Sequence, residues 1–379
     1  MANTLGVYKP IFYAQEALII LEKALGMAAR VHRGFDAERR TFNRGEYVSI
    51  RKPSTFAVAD ASATAQDLST ETVQIQLAHW REVKFKLTDK ELAFTQERIV
   101  AEHIAPAAYA LADDVDQKLS ALYKDIPWYY DLASTTEVGD VTGPRKILFN
   151  NKVPLEPGRV HYMVDGALEE GLLKLAAFSQ QQGAGDLGVL TQMRGSLGMK
   201  YGLEVFANQN VQSHTKGTAD TTAVAVVGTT AKGATTISLD ALALTGTVVP
   251  GDTFVIAGNT QRYAITNTVT AAGNTLTGVT FTPALVADAA DDAAVTLRLD
   301  NHTANLAFHR NAFALVTAPL PDIGKELGAK VETLYDDKTG LSIRSRLYYV
   351  GNSSEVHVAL DLLYGLKTLD PNLAVRCCG

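Results

Sequence analysis

Between Val73 and Leu87 most of the apolar residues fall on odd positions. Val73, Ile75, Leu77, Val83, Phe85 and Leu87 are odd, whereas Gln74, Gln76, Glu82, Lys84 and Lys86 are even. His79 and Arg81 interrupt the apolar face without shifting its phase. Side chains along a strand alternate between faces, so the pattern predicts one extended strand with a single protein-facing side. About 15 residues would span about 50 Å, against about 5 to 6 residues for an ordinary strand. Tyr47 to Arg51 also has strand character, and Pro53 to Ser69 is a small, polar run rich in Ala, Ser, Thr and Asp. The expectation is a long two-stranded arm reaching beyond the body. Such a hairpin is marginal alone and needs a neighbour to lie on, which is a first indication of assembly.

A chain of 379 residues with 46% hydrophobic and 20% charged residues has enough apolar surface for one large domain or two to three smaller ones. The same balance excludes bulk disorder. Net charge is -6 and no Lys/Arg block occurs, which argues against a sequence-independent phosphate-binding face. Met1-Ala2-Asn3-Thr4 lacks the basic and apolar regions of a signal peptide, and Glu22 and Lys23 interrupt the apolar stretch Ala17 to Val31. A cytoplasmic protein with no membrane span is expected. The two cysteines, Cys377 and Cys378, can build neither a disulfide framework nor a thiol zinc site. They read as free thiols in a terminal tail, the sharper alternative being a contact between subunits.

Along the chain, an extended arm from Thr4 to Ile11 precedes an amphipathic helix over 13–31, with Leu18, Leu21, Leu25 and Ala28 on one face. A basic stretch with glycines follows, Arg30 to Gly45. After the β-arm, Thr88-Asp89-Lys90-Glu91 reads as a capping box opening a helix. A long helix is predicted from Glu97 to Lys124, with Ile104, Ala108, Leu111, Val115, Leu119 and Leu122 as its apolar face. Pro106 should kink it or mark a junction, and Pro127 should end it. His161 to Val164 reads as a buried strand, Leu168 to Gln181 as a helix broken by Gly183-Ala184-Gly185, and Met193 to Met199 as a helix leading to a strand at Leu203 to Ala207.

Ser213 to Asp300 contains no Glu, Trp, Met or Cys. Short runs recur at Ala223–Val227, Thr235–Leu239, Thr253–Ala257, Arg262–Val269, Thr275–Thr282 and Val295–Leu299, separated by turn signals such as Pro250-Gly251-Asp252 and Gly273-Asn274. The segment reads as a small all-β barrel or sandwich inserted into a larger α+β body, because strand-rich runs return at Leu306–Val316, Ile343–Val350 and Val356–Leu366. The expected parts are 1–45, an N-terminal arm and helix; 46–87, the extended β-arm; 88–127, the long helix; 128–212, an α+β body; 213–300, the inserted barrel; and 301–379, the rest of the body with C-terminal strands.

No catalytic constellation emerges, so no enzyme is expected. His32, His79, His103, His161, His214, His302, His309 and His357 lack metal-ligand spacing, and His302 and His309 share no site by spacing alone. Phosphate loops and nucleophile elbows are missing, and Gly195-Ser196-Leu197-Gly198 reads as a helix start or turn. Asp288, Asp291 and Asp292 lack the glycine and glutamate of a calcium loop and read as a solvated loop. Asp113, Asp114 and Asp116 read as a polar helix face, with subunit contact as the alternative. No cofactor and no metal are expected.

The ordered parts carry a resemblance. Gln15-Glu16-Ala17-Leu18 with Ile50-Arg51-Lys52-Pro53, the junction Val83 to Leu92, Ile104 to Ala108 through Leu119 to Tyr123, Pro250 to Gly258, and Leu363 to Lys367 with Pro371 to Arg376 together resemble the coat proteins of tailed phages. The fold implied is the Hong Kong 97-type capsid fold, with N-arm, extended β-arm, spine helix and axial domain. The closer likeness is to the P-22-like podovirus coat-protein family, which carries an inserted β-barrel. The match is weakest over 128–160 and in the later strands of the insertion.

The resemblance implies a virion shell of hexamers and pentamers enclosing double-stranded DNA without sequence-specific binding. It also implies a separate scaffolding protein, a portal and room for a decoration protein, with assembly in the host bacterial cytoplasm. The chain opens directly on the arm with no long helical segment before it, which fits separate scaffolding. The β-arm would lie over an adjacent subunit, so Arg51, Lys52, Phe56, Asp60, Asp67, His79 and Arg81 are the expected inter-subunit contacts. Lys52 also invites the idea of an isopeptide cross-link to a neighbour's Asn. Weighed beside this are an encapsulin-type nanocompartment shell, a Thr-rich β adhesin, and a hydrolase.

Overall fold

The alternation that dominates the first third resolves into two strands, Thr72–Gln76 and His79–Thr88, rather than one. The computed structural model describes residues 14–15, 17–21, 25–33, 47–51, 72–88, 103–180, 185–220, 222–321, 329–335 and 341–379. The Thr4–Ile11 arm, most of the basic stretch, the arm residues from Lys52 to Glu71, the capping box past Thr88 and the expected helix start at Glu97 lie outside the described residues. The chain divides into two compact units, Met1–Asp116 with Ala314–Leu369, and Gln117–Phe313 with Asp370–Gly379.

Strand β1 (Tyr47–Arg51) pairs antiparallel with β2 (Thr72–Gln76), setting Ile50 opposite Val73. The ladder stops at Leu77–Ala78 and β3 (His79–Thr88) takes a different partner. The parity survives the break. Ile75 and Leu77 are buried, Val83 and Phe85 half-buried, and Gln74, Gln76, Glu82, Lys84 and Lys86 exposed. A change of partner breaks the hydrogen-bond ladder without requiring a change of face.

The backbone is helical at 14–15 and 17–21 but turns over 26–31, short of the helix expected to Val31. The cause is Asp116, which is buried and accepts the backbone N–H groups of Gly26 (2.6 Å), Met27 (3.1 Å) and Ala28 (2.8 Å). A carboxylate that captures three consecutive amides replaces the i−4 carbonyls a helix would supply. Asp116 is therefore not part of a solvated polar face.

A π-type turn at His103–Ile104 leads into helix α1 (Ala105–Ser120), so Pro106 lies at the junction of the two. A 3-10 turn, Ala121–Asp125, ends the helix before Pro127. Next come β4 (Tyr129–Asp131), α2 (Gly139–Asn150), β5 (Val160–Val164) and α3 (Gly166–Lys174). The Asp165 carboxylate accepts the Leu168 N–H and caps α3. The helix expected to Gln181 breaks at extended Leu175 and resumes as α4 (Ala176–Ser179). Met193–Met199 is not a helix. Helix α5 (Asp186–Arg194) ends at the second residue of that stretch, and Gly195 at φ 65° stops the winding. Gly195–Gly198 is thus a helix-ending turn into β6 (Gly198–Lys200), followed by β7 (Leu203–Ala207) and β8 (Ser213–His214).

The Thr-rich segment supplies β9 (Val224–Val226), β10 (Thr236–Asp240), β11 (Thr247–Val248), β12 (Thr253–Ile256), β13 (Tyr263–Ile265), β14 (Val269–Thr270), β15 (Thr275–Thr282) and β16 (Ala294–Arg298). Six of these close a barrel in the order β10-β15-β13-β12-β16-β9, and β11 pairs with β14 beside it. Alternate residues point inward, and Phe254, Tyr263 and Phe281 meet at its centre with ring centroids 5.2 and 5.3 Å apart.

β17 (His302–His309) returns to the body, and β18 (Phe313–Thr317), β19 (Lys330–Tyr335), β20 (Ser342–Val350), β21 (Glu355–Thr368) and β22 (Ala374–Cys378) complete the chain. In the first unit, β18, β19, β20 and β21 form a five-stranded sheet with β3, whose whole length pairs with β21 from Thr88↔Glu355 to His79↔Tyr364. In the second, β4-β22-β17-β5-β7-β6 with β8 make a seven-stranded sheet, covered by Val141 and Leu148 of α2 and Leu168 and Leu172 of α3. Cys377 and Cys378 are not in a tail. They lie buried in β22, between β17 and β4.

Candidate functional site

Three arrangements in the described residues hold polar groups in defined geometry. The first is the base of the β-arm. Val48, Ile50, Ile75 and Leu77 pack on Ala314, Val316 and Ala318. The backbone of β2 runs so close to β21 that a Cβ on Gly365 would lie 2.4 Å from the Gln76 carbonyl oxygen. Just beyond, the His79 ring lies 5.1 Å from that of Tyr364. Arg81 Nε is 3.1 Å from Asp114 Oδ2, and the Tyr364 hydroxyl donates to the same oxygen at 2.6 Å. Burial, reinforced by Asp114, pushes the Tyr364 hydroxyl well above its ordinary range. Asp114 therefore ties the helix to β3 and β21 within its own unit. Of the expected contact residues, Arg51 stands opposite Thr72 in β1, and His79 and Arg81 begin β3. Lys52, Phe56, Asp60 and Asp67 lie outside the described residues.

The second is a charged network across the same sheet. The Asp361 carboxylate, fully buried, receives Nε and Nη2 of Arg344 at 2.9 and 2.7 Å and Nη2 of Arg346 at 3.0 Å. Arg346 Nη2 also donates to Glu82 at 2.9 Å, and Arg344 Nη1 to the Pro321 carbonyl at 2.8 Å. A buried acid survives only with this degree of pairing. The sequence does carry a signal, one Asp in the apolar run Val356–Leu366 and two Arg spaced by two on a strand, but not their pairing.

The third lies where the barrel joins the seven-stranded sheet. Pairing of β8 with β17 sets His214 opposite His302, and their rings lie 5.0 Å apart. His214 Nδ1 is 3.1 Å from the Tyr123 hydroxyl and its Nε2 is 3.1 Å from Asp252 Oδ1. Asp252 also accepts the N–H groups of Val249 and Gly217. The wholly buried Arg376 donates to the Gly251 carbonyl at 2.6 Å. Gly251 has φ 104°, and a Cβ there would lie 2.9 Å from the His214 ring, so the site requires glycine on both counts. The His302 Nδ1–H donates to the Asp300 carbonyl at 2.9 Å. Burial, with Arg376, His214 and Arg298 nearby, lowers the His302 pKa to about 4 despite that bond. Arg262 and Arg298, both from the barrel, flank the Tyr129 ring of β4, with guanidinium carbons 4.0 and 3.5 Å from its centroid. Arg298 further pairs with Asp131 and Asp300.

These arrangements join separate elements of the fold. Three further histidines have local partners. His161 faces Glu204 across β5 and β7 at 3.0 Å, His309 accepts the Asn311 N–H, and His357 lies 3.3 Å from Glu355. Asp288 and Asp291 accept the backbone N–H groups of Lys232 and Gly228, tying barrel loops. Among the described residues, no three His, Cys, Asp or Glu side chains are placed to hold a metal ion, and no helix is long and apolar enough to cross a membrane.

No family model matches the sequence, and no curated protein matches it. Solved structures do. A structure from Mycobacterium phage Che8 aligns over 93% of this chain and 90% of its own, with TM-score 0.50 and 14% identity. The capsid of cyanophage P-SCSP1u aligns over 89% and 85%, with TM-score 0.46 and 10% identity. The capsid of Ralstonia phage GP4 aligns over 93% and 88%, with TM-score 0.46 and 12% identity. The first likeness shows a shared fold, here a mixed α+β architecture containing a closed six-stranded barrel.

Proposed function

We propose that this chain is the major shell-forming subunit of a tailed-phage head. The observation that carries the reading is the fold shared with the phage Che8 structure across 93% of the chain. The ordered sequence resemblances to phage coat proteins support it independently. In this reading the fold is of the Hong Kong 97 type, within or near the P-22-like family, and the closed barrel is its insertion domain. Copies form hexamers and pentamers around double-stranded DNA in the virion, built in the host cytoplasm with a scaffolding protein and a portal, and open to a decoration protein. The role is structural rather than enzymatic. The expected parts at 1–45, 46–87, 88–127, 128–212, 213–300 and 301–379 take the places of arm, β-arm, spine, axial body, insertion and remaining body.

The surfaces that matter are those meeting other copies. Arg51, Lys52, Phe56, Asp60, Asp67, His79 and Arg81 are assigned to inter-subunit contact along the β-arm. Arg81 already has Asp114 as an intramolecular partner, so its contribution would come from the 42% of its side chain left exposed.

Negative-stain microscopy of the expressed chain, with and without a co-expressed scaffolding protein, tests the reading. Shells or capsomers are expected in at least one condition, and their absence from both overturns it. Deleting residues 56–68 should abolish shells while leaving the monomer's thermal transition within a few degrees. Equal loss of folding would show that the arm belongs to the core.

A further inference from the structure

Within the second unit, α2 and the turn after it, the aromatic residues Trp128 and Tyr130, and the barrel loop Thr260–Arg262 enclose an open cavity of about 860 Å³. Ligand pockets span about 300–1,000 Å³. Its polar walls satisfy one another. The Asn372 Oδ1 accepts from Trp128 Nε1 at 2.9 Å and from Gln261 Nε2 at 3.0 Å, and the Asn372 carbonyl accepts from Asn151 Nδ2 at 3.3 Å. What remains unbalanced is charge. Lys146, Lys152 and Arg262 line the cavity and no carboxylate does. None of the three forms an ion pair among the described residues. Arg262 is fixed instead by donating to the Tyr129 carbonyl at 3.1 Å and by lying over the Tyr129 and Trp128 rings.

A chain of net charge -6 thus presents a concave, aromatic-floored site whose formal charge is wholly positive. We propose that this cavity binds a short acidic peptide segment of a partner protein. Its carboxylates would sit against Lys146 and Lys152, and an apolar side chain would lie on Trp128 and Tyr130. A nucleic acid fits less well, because backbone tracking uses a positively charged groove running along the strand, and the cavity is a local hollow with three cations. The inference is independent of the shell reading and concerns the single chain.

The chain's two tryptophans provide the assay. In full-length protein carrying Trp80→Phe, Trp128 is the sole indole. A blocked hexapeptide of Asp and Glu with one central Phe should produce a saturable change in Trp128 emission. Affinity should fall about tenfold or more in Lys146→Ala/Lys152→Ala, and also when salt rises from about 0.05 to about 0.5 M. The same peptide with Asn and Gln should leave the emission unchanged. Both lysines are exposed, so the double variant should keep the parent melting temperature, and Lys152→Glu provides a second variant with the same expected loss. No response to the acidic peptide, equal binding of the neutral peptide, unchanged affinity in both variants, or equally tight binding of an oligothymidylate of matched charge would each overturn the proposal.

Discussion

Asp361→Leu tests whether the sheet of the first unit depends on its buried charges. The substitution removes the acceptor of three arginine N–H bonds and leaves Arg344, 8% exposed, with only the Pro321 carbonyl. Breaking a buried pair from one side costs about 3–5 kcal/mol, since the remaining charge is left uncompensated. Arg346 keeps Glu82 and is partly exposed, which places the loss near the lower end, about 3 kcal/mol. With a urea slope of about 2 kcal/mol/M, the unfolding midpoint should fall by about 1.5 M. Trp80 in β3 pairs with Leu363 of β21, so its emission in a Trp128→Phe background follows this sheet. Arg344→Met combined with Asp361→Leu removes the stranded cation as well and should recover part of the loss, with a coupling of about 1–3 kcal/mol. A single-variant loss below about 1 kcal/mol, or a double-variant loss equal to the sum of the two singles, would refute the reasoning.

Acid should weaken the second unit through His302. Above its ordinary value of 6.5 the imidazole is neutral folded or unfolded, whereas between 6.5 and about 4 only the unfolded chain takes up the proton. Stability should therefore decline as pH falls through that window, by about 2 kcal/mol after allowance for partial exposure; urea midpoints read from Trp128 emission should show it, and His302→Gln should flatten the slope. Gly365→Ala should cost about 1–3 kcal/mol, because its Cβ would press on the backbone of β2, and an unchanged thermal transition would show that β2 does not sit there. Burial pushes the thiols of Cys377 and Cys378 upward. Both should ignore a disulfide reagent at pH 8 and react at once in guanidinium; rapid native labelling would contradict their place in β22.

The barrel was the part most open to reading. Its partners are near in sequence, glycine and asparagine mark the turns, and one face is buried, so Thr275–Thr282 appears at its expected bounds. The patterns of the β-arm were right about the faces of β2 and β3 and about the pairing of β2 with Tyr47–Arg51, but not about the partner of β3, because parity is blind to which strand lies alongside. The pairing of β3 with β21, and the meeting of His214 with Asp252 and Tyr123 from 38 and 91 positions away, are products of topology that no local spacing records. Asp116 was hidden for a related reason, since the amides it captures lie 88 to 90 positions earlier. The run Ala374–Cys378 had the continuous apolar character of a central strand, broken only by Arg376, but its position suggested a tail.

Strand β4 waits for β22. Its partner in the seven-stranded sheet is encoded beyond the barrel, beyond β17 and beyond the whole of Ala314–Leu369. At roughly 5–20 residues per second of synthesis, the delay is on the order of tens of seconds. The strands of the barrel meet partners within their own segment and need no such wait. A nascent chain can thus close its insertion while the host sheet still lacks the strand that joins β4 to β17, so the molecule is finished from its middle outward.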